Sequence, residues 1–389
     1  MENAESLTIV NENTKVAKKR NFTFDLLYAL AIIMVVDDHT GNQIGILSKI
    51  FPYDSFFMPL FVFISGYFFK KVKICENVKH KIKKLLIPAI IWNIVIAGIA
   101  LLIDNIFKTH WSYDLTIKKF IISLLNDTLT LLNGPAWFVI MLFWISIGYN
   151  ACRNIFKLKK NNDIILTLIF ILIGFISVYL CCKGYYRKGW KIVTILKFTF
   201  YIQFYHLGYM FKLYGEARIR KVNKYFLCGL CTFINIILVL IYGKNVNFFS
   251  TSIMNGFSYW YLPLISSTTG IIFWYTIMNY FADKIKTNRY ITFIAKNTFT
   301  IMETHLLFAN LVNLLFYVLK NKGMPYFVNF DSIAFCASPW SGAAWKMNPF
   351  FGVLGFLFGI ILSIIVAIII DKIKEYNKIF IKENKKITM

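Results

Sequence analysis

The chain has 389 residues, of which 58% are hydrophobic and 16% charged, and its mean hydropathy is +0.59. Soluble domains carry about 25% charged residues and cannot hide this much apolar surface, so the composition excludes a soluble enzyme and a disordered chain. The formal charge of +24 comes from Lys and Arg gathered in short clusters between apolar runs, a pattern of membrane topology and not of nucleic-acid binding.

Residues 1–21 are polar and read as a cytoplasmic tail, since no apolar stretch with a small-residue cleavage site follows their charges directly. Ten apolar runs come next, at 22–39, 52–69, 85–103, 135–152, 163–182, 192–211, 224–242, 259–281, 291–319 and 350–370. Most have the length of a membrane helix, the structure whose backbone hydrogen bonds close on themselves in lipid. The expected fold is therefore all-α, a polytopic membrane protein of about ten transmembrane helices. Residues 22–371 form the membrane domain and 372–389 a basic cytoplasmic tail. The ninth run is too long for one straight span, and ITFIAKN at its start reads as a separate short helix. Counted by loop, 29 Lys and Arg fall on the side of the N-terminus and 12 on the other, which predicts a cell-membrane protein with both termini cytoplasmic.

The first run, FDLLYALAIIMVVDDHTG, carries the ionisable groups that mark function inside a membrane. At 100° per residue Tyr28 lies within about 20° of the face of His39, and Asp25 within about 40°. His39 is expected as a general base, its ordinary pKa letting it take a proton near neutral pH; the plainer alternative is an interfacial histidine that ends a helix. Asp38 can orient the imidazole only where the helix ends or unwinds, because adjacent helical residues do not face each other.

Further along, the loop 70–84 holds seven Lys, including Lys81 and Lys84. They suit phosphate groups, or simply the positive-inside pattern. The long segment 104–134 contains DLTIKKFIISLL, which fits a short helix lying on the membrane surface. KGYYRKGWK puts Arg187 and Lys188 among aromatic residues on the outer side, as a docking patch for an anionic glycan or as an anchor on lipid headgroups. Gln203 and His206 suit interhelical hydrogen bonding as well as they suit a ligand. Glu303 and His305 are two apart and point some 200° from each other on a regular helix, so only one should face a given site. In the last long loop, CASPWSGAAWKMNP, the tryptophans are read as interfacial anchors or as part of a substrate lid. Cys228 and Cys231 form a lone CxxC in an apolar run, which is no zinc site, and no metal is expected.

FDLLYALAIIMVVDDH resembles the opening motif of the acyltransferase-3 superfamily of integral membrane acyltransferases, most like its fucose 4-O-acetylase-like branch. FFMPLFVFISGYFFKK resembles the second motif, an aromatic run ending in Ser-Gly and an aromatic. KHKIKKLLIPAIIW, GPAWFVIMLFW and FTIMETHLLF resemble later segments in the same order. Where the family usually has Arg or Lys, this sequence has Tyr28. The resemblance implies transfer of an acyl group, usually acetyl, from cytoplasmic acyl-CoA as co-substrate to a hydroxyl of a cell-surface or lipid-linked glycan. On that reading His39, Asp38, Glu303 and His305 are the catalytic candidates. Lys81, Lys84, Tyr28 and Asp25 serve the CoA side, and Trp137, Ser65, Arg187 and Lys188 the acceptor. Partners are acyl-CoA, the glycan acceptor and membrane lipid, without nucleic acid. A transporter or flippase of a lipid-linked glycan is the alternative, although the inverted repeats and broken helix pairs of transporters are not visible.

Overall fold

The computed structural model describes residues 21–41, 45, 47–112, 116–125, 130–158, 162–246 and 252–387; the N-terminal tail up to residue 20 lies outside them. Each apolar run holds a helix, and the described residues contain no strand. The chain rises through α1 (Phe22–His39), returns through α2 (Phe57–Tyr67), and turns into α3 (Ile74–Lys81), which passes through a π turn at Ile82–Leu86 into α4 (Ile87–Phe107). A short α5 (Ile117–Leu125) precedes α6 (Trp137–Ile155), α7 (Asp163–Cys182), α8 (Trp190–Met210) and the single turn α9 (Glu216–Ile219). Then come α10 (Lys224–Tyr242), α11 (Leu262–Ile285), α12 (Arg289–Lys296), α13 (Thr298–Asn321), the short α14 (Ser332–Ala337) and α15 (Ala343–Met347), and α16 (Phe350–Ile387). The end of the bundle at which α1 begins is called proximal below, and the other end distal.

Within the described residues, six stretches are long and apolar enough to cross a membrane: Ile74–Phe107, Leu131–Ile155, Asp163–Cys182, Lys224–Val246, Thr298–Asn321 and Phe350–Asn377. Among them α7, α10 and α16 turn rows of large apolar side chains outward, such as Leu168 and Leu172, Phe233 and Leu240, Ile361 and Ile365. Helices α1, α8 and α11 are also long, but they carry Asp25 and Asp37, Lys197 and His206, and Ser266 and Ser267, all buried. These three are the inner helices, shielded from lipid by the others, because polar groups at membrane depth must face protein.

Three expectations change in shape. The run 52–69 gives α2 only 11 residues, ~16 Å, too short to span alone. Its first part is a 3₁₀ turn, Tyr53–Ser55, with every residue buried, the condition under which irregular backbone survives at membrane depth. The Lys-rich loop is helical from Ile74 onward, and the basic tail after residue 371 continues α16 to Ile387. The ninth run, by contrast, divides as expected, at Asn297, into the short α12 and the long α13.

The Ser-Gly motif acts in packing. A Cβ on Gly66 of α2 would stand 1.8 Å from the Tyr205 carbonyl oxygen of α8, and one on Gly208 of α8 would stand 1.9 Å from the Phe63 carbonyl oxygen of α2. The two helices lie backbone against backbone, the small-residue packing by which membrane helices associate. Ser65 turns its hydroxyl back to the Phe61 carbonyl at 2.9 Å.

The distal half of the bundle is plugged by its two long connections. Asp104, near the end of α4, accepts hydrogen bonds from the Thr109 and Ser112 hydroxyls and from the backbone N–H groups of Trp111 and Ser112. The buried Trp111 donates its indole N–H to the Phe335 carbonyl (2.8 Å), and the His110 N–H meets the Cys336 carbonyl (2.8 Å). The Ala344 N–H is held by the Asn313 side chain of α13 (2.8 Å). These bonds tie the described residues of one connection to the other and to the helices.

Candidate active site

The last residue of α1 meets α13. His39 Nδ1 lies 2.7 Å from His305 Nε2, and the two rings are nearly parallel, 10° apart with centroids at 5.0 Å. His305 Nδ1 lies 3.0 Å from the Ile301 carbonyl oxygen one turn back. With both imidazoles neutral, this chain of contacts has one solution. A carbonyl only accepts, so His305 Nδ1 carries the hydrogen and its Nε2 is an acceptor. His39 Nδ1 therefore donates, and His39 Nε2 keeps a lone pair with no hydrogen bond among the described residues. Trp340 stands perpendicular to His39 at 89°, ring centroids 4.9 Å apart.

The depth of this pair follows from the helices that carry it. His305 stands eight residues beyond Asn297 and sixteen before the end of α13, ~12 Å and ~24 Å along the axis. On α16, Gly359 lies against Val36 and the His305 carbonyl, nine residues from that helix's distal start and twelve from Asp371, which Asn297 contacts. The first span does end at His39, but its neighbours continue well beyond it. The histidines therefore sit near the middle of the bundle, not at its distal end.

The remaining residues singled out from the sequence are dispersed. Glu303 turns away from the histidines toward Asn133, as the 200° separation requires, and it is 1% exposed with Asn133 as its polar neighbour. Asn133 Nδ2 donates to Asn93 Oδ1 (3.1 Å), and Asn93 Nδ2 to the Ala89 carbonyl (3.1 Å). Asp38 is half-buried, and the ring nitrogen it would use to orient His39 is taken by His305. Its neighbour Asp37 is fully buried and accepts a hydrogen bond from the Tyr53 hydroxyl.

On the proximal side, Asp25 is buried and accepts from the Thr292 hydroxyl of α12 at 3.1 Å. Tyr28 packs against Phe61 of α2 with ring centroids 5.9 Å apart. Lys81 and Lys84 lie one turn apart, the first half-buried and the second exposed, beside α6. Trp137 opens α6, buried, with the ammonium of buried Lys197 5.2 Å from its ring centroid. Arg187 and Lys188 sit on the exposed 3₁₀ turn joining α7 to α8, bracketed by Gly184 and Gly189 at φ +78° and +111°. Lys188 rides over Tyr185 at 4.2 Å, and among the described residues no hydrogen bond or ring contact joins this turn to His39.

Two residues of the site escape a motif search, Asn133 and Trp340. Asn133 stands just before the GPAWF segment, in a 3₁₀ turn at Leu131–Ala136, and Trp340 belongs to the loop of two tryptophans. An asparagine beside an apolar run is the only local mark the first leaves.

A family model for the acyltransferase domain called acyltransferase-3 matches residues 21–372. The chain belongs to the acyltransferase-3 family. It is a membrane acyltransferase, and the matched region takes in every helix from α1 to the membrane portion of α16. No curated protein and no solved structure matches this acyltransferase.

Proposed function

We propose that this acyltransferase moves an acyl group, acetyl in the simplest case, from cytoplasmic acyl-CoA to a hydroxyl of a cell-surface or lipid-linked glycan, with both termini in the cytoplasm. The observation that carries the reading is the His39–His305 pair, set near the middle of the bundle and bonded so that one imidazole nitrogen keeps its lone pair. A hydroxyl is a poor nucleophile near neutral pH and needs a base as the new bond forms. The hydroxyl oxygen attacks the thioester carbonyl carbon while its proton passes to His39 Nε2. The carbon–sulfur bond then breaks, and the same proton goes to the departing thiolate, leaving an ester and free CoA. His305 Nε2 accepts from His39 Nδ1 throughout, fixing the tautomer and supporting the imidazolium while it exists.

The proximal cations Lys81 and Lys84 suit the CoA phosphates as point charges, and Asp25 and Tyr28 lie on the face of α1 that leads from that side to His39. Likeness of the first motifs to the fucose 4-O-acetylase-like branch supports a sugar acceptor, with Trp137 and Ser65 in the bundle and Arg187 and Lys188 as an outer docking patch. The decisive experiment is mass spectrometry of surface glycans from cells with and without the gene. The expected result is an acyl mass that disappears with the gene, returns with the wild-type chain and does not return with His39→Ala. Identical glycans in all three strains would remove this reading.

A further inference from the structure

Trp340 is 41% exposed, although it lies against a histidine near the middle of the bundle. It is neither of the things a membrane tryptophan usually is. An interfacial anchor sits at headgroup level, whereas this ring meets His39, ~24 Å along α13 from that helix's distal end. A core tryptophan is enclosed, as Trp111 of the other connection is, at 0% exposure.

The ring is nonetheless held firmly. Its indole N–H donates to the Leu131 carbonyl at 2.9 Å, and its backbone N–H to the Ser338 hydroxyl at 3.1 Å. Its six-membered ring rests on Gly134, where an added Cβ would stand 2.4 Å from Trp340 Cζ2. Since the one polar atom of the side chain is already bonded, the surface left open is apolar. The two rings stand at right angles in an edge-to-face contact, so the exposed apolar surface of the indole adjoins the proton-accepting imidazole.

The geometry points to Trp340 as the acceptor platform of the site, taking a ligand that presents a flat C–H face with hydroxyls around its edge, as a pyranose ring does. A ring laid on the indole carries its peripheral hydroxyls toward His39, where an acyclic polyol has no face to lay down. This rests on the acyl-transfer reading above, and the roles of Leu131 and Gly134 are to position the platform.

The test uses the purified full-length protein with a panel of methyl pyranosides and with glycerol. Pyranoside binding is measured by saturation-transfer NMR, and CoA release from acetyl-CoA with each acceptor and with none. Trp340→Ala is expected to raise the KM for pyranosides at least tenfold and to abolish their saturation-transfer signal. The loss is read against glycerol: kcat/KM for pyranosides should fall at least tenfold further than kcat/KM for glycerol does. Gly134→Ala, which keeps the indole but displaces it, should do the same, and Trp340→Phe, which keeps a flat face, should fall between. An unchanged pyranoside signal in Trp340→Ala overturns the platform. So does a faster hydrolysis with unchanged pyranoside KM, which would make the ring a gate. If Trp340→Ala does not fold, Trp340→Phe and Gly134→Ala decide, and wild-type pyranoside KM values in both overturn it. Binding that depends on Trp340 without any CoA release would keep the platform and remove the transfer reading.

Discussion

Two polar clusters inside this protein are built on histidine, one around His206 and one joining His39 to the buried His305, and their surroundings are opposite in kind. His206 of α8 is fully engaged. Its Nε2 meets the Asp163 carbonyl (3.1 Å) and the Thr167 hydroxyl (3.0 Å), and its Nδ1 meets the Tyr149 hydroxyl (2.8 Å). Tyr149 accepts in turn from Arg153, whose guanidinium is paired with Asp163 at 2.7 Å and lies over Tyr209. Both ring nitrogens of His206 are bonded, Arg153 is paired through Asp163 Oδ1, and the cluster clamps the proximal ends of α6, α7 and α8. At His39 the bonding stops one partner short, beside an open apolar ring. A histidine with both ring nitrogens bonded inside such a network specifies structure, and one with a nitrogen left over beside an exposed aromatic ring has something to do. Burial alone, or the residue type alone, would not separate the two.

Substitutions can break or sharpen this contrast. The largest effect is expected at His39. His39→Ala should lower transfer by roughly 10²–10⁴-fold with little change in the amount of folded protein, and His39→Gln, which keeps hydrogen bonding but loses basicity, should be nearly as inactive. Initial rates of CoA release, set against protein level in the membrane, check this; an active His39→Gln would move the base elsewhere.

The opposite signature belongs to the clamp. Asp163→Ala strands the Arg153 charge, a change that costs about 3–5 kcal/mol in buried pairs. Thermal unfolding in detergent should show that loss, while activity per folded molecule stays near wild type. A fall in turnover with unchanged stability would erase the distinction between the two histidines.

His305 lies between these cases. His305→Ala removes a hydrogen bond to a group that becomes charged, worth about 1.5–3 kcal/mol, so turnover should drop roughly 10–100-fold at unchanged acceptor KM. Gln places an amide oxygen near the lost Nε2, and His305→Gln should recover part of the rate. A rate equal to that of His305→Ala would show that the ring is needed for packing and not as an acceptor. The smallest effect is expected proximally. Lys81 and Lys84 changed together to Ala should raise the KM for acyl-CoA a few-fold, since one of the two is exposed and screened. An unaltered KM would leave those lysines to topology alone.

The fold was legible in the sequence because lipid imposes a simple requirement: a backbone that bonds to itself over about twenty apolar residues. Where that requirement lapses, legibility falls. α2 lies inside the bundle, and its run reads like a full span although four of its residues, Tyr53 to Phe56, form a buried turn and loop. The site was half legible. His39 stands out because DDH ends an apolar helix, and the angular argument separates Glu303 from His305 without naming the side each one takes. Their pairing across 266 positions is set by the packing of α12 and α13 along α1, which no local pattern reports. Trp340 is harder still. The loop that bears it looks like an ordinary interfacial connection until its bonds to Leu131, Ser338 and Gly134 show how deep it reaches.

The depth of His39 also bears on how a membrane can be crossed. His39 lies ~25 Å along α1 from the proximal start of that helix, and His305 ~24 Å along α13 from its distal end, so the proposed reading asks neither substrate to traverse the whole bundle. On the proposed reading the donor extends a thin arm from one face and the acceptor brings a ring from the other, and each withdraws the way it came. Only the acyl group changes sides, and it does so by changing the atom to which it is bonded. Such a protein needs no rocking of one half against the other, because the covalent exchange is itself the translocation.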